Sequence, residues 1–239
     1  MKAPVDGFAG SLWRSVTFPV RVLRPLVVIA RMRLTGRYWA ETTVVVPADG
    51  PTVHVSARPD IQEPRDGTGP LNHRRYRVRI SDPRITPAAL LDVFRRDPNA
   101  FAPTSYATFA PDPSPAGFRE GDSITVTLPG PWNGPVAIAS IGDHAIRFET
   151  RTGHMEAGWI EFRSFDTASG DMMTFEIESF ARSGDPLFDA LYHQVGIAKL
   201  VQSLMWVQTL ESAVSISGGE QVGKICIETT TYRGPRNDG

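Results

Sequence analysis

The chain has 239 residues, 41% of them hydrophobic and 21% charged, the make-up of a folded globular protein rather than a disordered one. A net charge of −1 gives no electrostatic basis for nucleic-acid binding, and the single cysteine, Cys226, excludes an internal disulfide and a cysteine-built metal cluster. No window reaches 18 uncharged apolar residues, so no spanning helix is expected, and the expected location is the cytoplasm.

The first forty residues stand apart in character. Between Leu12 and Trp39 lie six arginines, no acids and many large apolar residues, with Val16, Val20, Leu23, Val27 and Ala30 at helical spacing and Pro19 and Pro25 dividing any helix. Pro19, Pro25 and the arginines also interrupt the early apolar stretch, so no secretory signal is expected. Two readings stay open for this segment: a peripheral membrane contact, or a helix packed on the domain or on a second subunit, as in a homodimer. Residues 42–46 and 52–56 read as a hairpin around Pro47-Ala48-Asp49-Gly50. Residues 58–70 read as a loop or linker, which sets off residues 1–70 as an N-terminal extension.

The main domain is expected over 71–218. It opens with a strand at 73–80, where Tyr76, Val78 and Ile80 alternate with arginines. Thr86-Pro87 then caps a helix bearing Leu90, Leu91 and Phe94. Strands are expected at 123–128 and 136–141, separated by a rigid proline turn carrying Trp132. Three alternating runs follow, at 145–151, 158–165 and 172–182. A long helix is expected from Asp185-Pro186 to Gly218-Gly219, about 45 Å if about thirty residues are helical. Residues 219–239 complete the chain as a strand and tail, in which Cys226 is expected to be a packed thiol.

The architecture implied is α+β, a curved antiparallel sheet wrapped around a long C-terminal helix, with a cavity between them suited to a bulky hydrophobic molecule. In the three alternating runs Arg147, Glu149, Glu161, Arg163, Glu176 and Glu178 fall on one side, and interleaved charges of this kind are expected on a solvated outer face. The turn 150–158 gathers Arg151, His154 and Glu156 around two glycines. A histidine there can exchange protons near neutral pH, with the carboxylate as its partner. The alternative is a surface turn with a capping histidine. Trp132, Tyr192 and Trp206 each suit a cavity wall or ordinary packing. No phosphate loop, dinucleotide fingerprint or metal-ligand spacing occurs, so no cofactor and no metal are expected.

The segments 131–136, 147–150 and Gly153-His154-x-Glu156-x-Gly158 with Phe162, followed by Phe175-x-Ile177 and Phe180-x-Arg182, together resemble the domain of unknown function 1990 family. That family is similar to the START-like, polyketide-cyclase-like superfamily, and the resemblance covers residues 71–217. It implies a helix-grip fold with a ligand cavity and supplies no catalytic residues. Trp159 and Ile160 stand where the family turn carries acidic residues, and the first forty residues lie outside the shared region. The expected function is binding of a polyketide-like or lipid-like molecule, with action on it as a cofactor-independent cyclase, isomerase or lyase. In that reading His154 and Glu156 are the catalytic pair, and Arg151, Trp132, Tyr192, Trp159 and Trp206 are ligand contacts. A non-catalytic carrier, peripheral to a membrane, is the rival, and a subunit-association module is the third reading.

Overall fold

The computed structural model describes residues 39–104, 107–111, 113–127, 133–167, 170–184 and 197–234. Nine strands form one sheet: β1 (Ala40–Val46), β2 (Thr68–Ser81), β3 (Thr108–Ala110), β4 (Ser123–Thr127), β5 (Asn133–Ile141), β6 (Ala145–Thr150), β7 (Glu156–Asp166), β8 (Met172–Ser183) and β9 (Glu220–Tyr232). Two helices are described, α1 (Pro87–Arg96) and α2 (Ile197–Ser217). The spatial order is β1-β9-β2-β8-β7-β6-β5-β4-β3, antiparallel throughout except for the parallel pair β1–β9.

The register explains which residues go inside. Ile146, Phe162, Ile177, Tyr76 and Ile227 stand abreast across five strands, and all are almost fully buried. Period-two alternation sends this set to one face, the inner one. Both helices lie on it, α1 over β6, β7 and β8, and α2 over β2, β8 and β9. The Thr86 hydroxyl accepts the Ala89 N–H at 3.2 Å and starts α1 as its sequence predicts. Leu90, Leu91 and Phe94 then turn into the core.

Under α1 the interior is filled by rings. Phe94 meets Phe162 at 4.3 Å between centroids, and Phe101, Phe109, Phe118 and Phe148 complete the cluster at 5.3–6.4 Å. Trp206 of α2 packs edge-on against Phe162 at 5.8 Å. Burying these rings stabilises the fold at ~25 cal/mol per Å² of apolar surface removed from water.

Several expectations are corrected. Residues 42–46 form no hairpin with 52–56: β1 pairs instead with β9, across most of the chain's length. The sheet is therefore mixed rather than wholly antiparallel. The helix ends at Ser217 with Gly218 at φ +70°, as its glycines predict, but the chain then returns into the sheet as β9 between β1 and β2. The described part of α2 spans about 31 Å, and its expected start at Pro186 lies outside the described residues. The 58–70 stretch is no loose linker. Ile61 and Gln62 are buried, and Ile61 bridges to Arg151. Cys226 is exposed on β9, because its position alternates to the outer face opposite Arg77.

The outer face is also not the solvated surface its pattern predicts. Glu149, Glu161, Glu176 and Glu178 are 3–9% exposed. Long arginine side chains lie across them: Arg147 bonds Glu161 at 2.8 Å, and Arg163 pairs with both Glu176 and Glu178. Ser56 covers Glu149, its N–H donating at 2.9 Å.

Candidate functional site

The three site residues of the 150–158 turn lie at one end of the sheet but point to different partners. Arg151 turns outward to Asp60 at 2.7 Å, and this bond holds the Asp60 carboxyl below its ordinary range. His154 packs inward, such that a Cβ added to Gly134 of β5 would come 3.1 Å from its Nε2. His154 Nδ1 lies 2.8 Å from the Glu156 N–H and 2.9 Å from the Glu156 carbonyl oxygen, so the Glu156 backbone fixes that ring nitrogen. Burial pushes the His154 pKa down against the opposing charge of Glu156. The ring is therefore a neutral imidazole at neutral pH.

The turn is locked from below. Thr150 Oγ1 accepts the Gly158 N–H at 2.8 Å and faces the Gln62 carbonyl at 3.1 Å. Gly158 holds φ +147°, and a Cβ there would come 2.0 Å from the Phe180 carbonyl oxygen, so only glycine fits. Gln62 reaches the His154 carbonyl at 3.3 Å and accepts from the Gly153 N–H at 3.2 Å.

The Glu156 carboxylate does not touch the imidazole. It pairs with Arg74 at 3.1 Å and accepts from the Gln202 side chain of α2 at 3.1 Å, and Arg74 also donates to Gln202 at 3.1 Å. Arg74, Glu156 and Gln202 thus close a triangle between sheet and helix. Around it the inner face is polar. Arg74 stands abreast of Ser179 and Thr229, and the next row holds Asn72 and Thr231, whose hydroxyl donates to Asn72 Oδ1 at 2.9 Å. Thr229 Oγ1 is buried with no hydrogen-bond partner among the described residues. Tyr76, one row further in, bonds Ser203, and burial pushes its pKa up, so it stays protonated.

The remaining expected residues scatter. Trp206 sits in the aromatic core beside Phe162. Trp159 lies on the opposite face of the sheet, 8% exposed, under the Arg147 guanidinium at 4.2 Å and beside Phe180. Trp159 and Glu156 cannot contact one ligand on the inner face, because β7 alternation puts 159 and 156 on opposite sides. Trp132 and Tyr192 lie outside the described residues. Arg74, Gln202, Thr229 and Gln62 were not singled out by the sequence. A signal existed for Arg74: it is in step with Tyr76, Val78 and Ile80, so period two already placed it inside.

A separate surface cleft of about 370 Å³ opens beside β3 and β4, lined by Pro111, Pro113, Phe118, Arg119, Asp122 and Ile124. It contains none of the expected site residues. Among the described residues no group of three or more His, Cys, Asp or Glu could hold a metal ion, and no helix is long and apolar enough to cross a membrane.

No family model matches the sequence, and no curated protein matches it, so the resemblance carried by the 131–182 motifs stands without a matching model. Among solved structures, the chain is similar to the Zhui aromatase/cyclase from Streptomyces sp. R1128, at 12% identity and a TM-score of 0.43 over 62% of this chain and 94% of that one. It is similar to hypothetical protein jhp0584 from Helicobacter pylori, at 9% identity and 0.43 over 60% and 86%. It is also similar to major latex-like protein 151 from Panax ginseng, at 11% and 0.33 over 56% and 97%. At these identities and TM-scores, the likeness assigns no residue and no activity to this chain.

Proposed function

We propose that the chain binds a bulky hydrophobic small molecule with an uncharged polar end, seated at the polar end of the inner face under α2. The observation that carries this reading is the buried Arg74–Glu156–Gln202 triangle with the unpartnered Thr229 hydroxyl beside it, a polar cluster on a face whose other end is lined by phenylalanine rings. A buried hydroxyl without a partner costs stability, and a ligand hydroxyl or carbonyl would satisfy it. Among the described residues of this end, Arg74 and Glu156 neutralise each other, Tyr76 is protonated and His154 is neutral, and Glu41 of β1 adds a negative charge that reaches Tyr76. An ionised head group would bury its charge there against no unmatched cation among the described residues, which favours a neutral one. Few convergent polar groups on an apolar wall are the usual make-up of a small-molecule site.

Native mass spectrometry of the full chain tests this: a co-purified apolar molecule is expected, present in smaller amount after Glu156→Gln. Absence of any adduct from wild type, together with no saturable uptake of a neutral apolar dye, overturns it.

A second reading, action on the ligand as a cofactor-independent cyclase or isomerase, is favoured by His154. A neutral imidazole with one nitrogen held by the Glu156 backbone can exchange a proton at the other, an effect typically worth about 10²–10⁴-fold. Glu156, engaged by Arg74 and Gln202, would act by positioning rather than as a direct proton partner. If His154→Ala leaves turnover of the identified ligand unchanged, this second reading fails while binding stands.

A further inference from the structure

The two edges of the sheet are finished differently. β3 closes one edge with three residues and is followed at once by Pro111 and Pro113. Short strands and prolines are what keep a sheet edge from pairing with another chain. β1 forms the other edge. It runs seven residues with no proline and no lysine, and among the described residues it is paired on one side only, to β9. Val44 and Val45 are 51% and 54% exposed, two of the three exposed large hydrophobic side chains among the described residues. They project to opposite faces, so both sides of this edge present apolar surface.

The backbone sets which residues are available. In a parallel pair, alternate residues direct both N–H and C=O toward the partner strand. The Val46 carbonyl accepts from the Arg233 N–H at 2.9 Å, one residue beyond its register partner Tyr232. Residues 42, 44 and 46 therefore face β9, and Thr43 and Val45 turn their backbone groups outward.

We propose that β1 is a dimer interface, on which a second copy of this chain adds its own β1 antiparallel about a two-fold axis at Thr43, joining the two sheets edge to edge. In this register Thr43 pairs with its own copy, Thr42 faces Val44, and Glu41 faces Val45. The strand's single charged side chain thus meets a valine. A parallel in-register partner would set Glu41 directly against Glu41, which is unfavourable. The pairing is isologous, so one patch suffices for both copies. Outward-facing Thr43 and Val45 supply the backbone bonds, and Val44 and Val45 supply apolar burial on the two faces.

The test is sedimentation of the full chain over a dilution series, with amide hydrogen exchange at each concentration. A reversible dimer is expected, with Thr43 and Val45 amides gaining protection as concentration rises. Thr43→Pro removes an outward N–H and leaves the β9 bonds intact, a substitution an edge strand tolerates. It should weaken the dimer about tenfold or more, as should Val45→Lys, whereas Thr43→Val, which keeps the N–H, should not. Should Thr43→Pro fail to fold, Val45→Lys and the exchange data decide. A monomer at every concentration overturns the proposal, as does a dimer indifferent to both substitutions. Amides protected in a monomer overturn it too, by giving the edge to another segment of the same chain.

Discussion

The two ends of the inner face are built from the same strands and differ in almost everything else. Under α1, rows from β2, β6, β7 and β8 carry Phe, Ile and Val, and the space between sheet and helix is taken up by phenylalanine rings. Two to four residues along the same strands, under the first turns of α2, the rows carry Arg74, Asn72, Glu156, Thr229 and Thr231. Among the described residues each end holds one buried hydroxyl without a partner, Ser164 abreast of Phe175 at the first and Thr229 at the second. What sets the second apart is its cluster of charged and amide groups, which cost desolvation to bury. In the proposed reading such an interior separates stability from recognition: the ring-filled end holds the fold, and the polar end would offer a guest its polar contacts.

That division can be broken by experiment. Phe162→Ala, at a fully buried ring touching Phe94, Phe148 and Trp206, should cost about 3–5 kcal/mol in denaturant unfolding. A loss near 1 kcal/mol would mean the ring cluster is not the structural end. Acid sensitivity should belong to neither end but to the outer face. Burial alone would raise the Glu178 pKa, but the hydrogen bonds from His73 and Arg75 and the charge of Arg163 more than offset it and hold the group at about 2. Its contribution is fully present above its ordinary value of 4.5 and is lost as pH falls from there toward 2. The shift corresponds to ~3 kcal/mol, and urea unfolding of Glu178→Gln should lack that part of the pH slope. Glu156→Gln leaves the Arg74 charge under α2 without its carboxylate and should cost about 2 kcal/mol, while weakening uptake of a neutral apolar dye. If it destabilises as much as Phe162→Ala and leaves dye uptake intact, the triangle is structural and the polar end is not a site. Arg151→Ala, which breaks a bond to Asp60 between two roughly one-third exposed side chains, should leave the denaturant midpoint almost unchanged.

Strand periodicity carried most of the fold. The alternation in β2 and in the three runs of β6, β7 and β8, the Thr86-Pro87 cap and the Gly218 stop all appear where local chemistry sets them. What local chemistry did not reveal was pairing at a distance. β1 looked like half of a hairpin because Pro47-Ala48-Asp49-Gly50 is a turn signal, yet its partner β9 lies some 180 residues away. The charged outer face read as solvated because alternation reports a side of the sheet and not what lies on it: Ser56, Arg75 and Arg77 come from other segments, and Arg147 and Arg163 of the runs themselves lie across their neighbours. The site was half legible. His154 and Glu156 do share the inner side of one turn, but the pattern could not show that Glu156 would be taken by Arg74 and Gln202, from a strand and a helix far apart in the chain.

Titration of the purified full chain with a neutral apolar dye such as Nile red tests the central claim most directly. Saturable one-to-one binding that weakens in Glu156→Gln and persists in Arg151→Ala is the predicted result. Uptake that never saturates, or that is the same in wild type and Glu156→Gln, would contradict it.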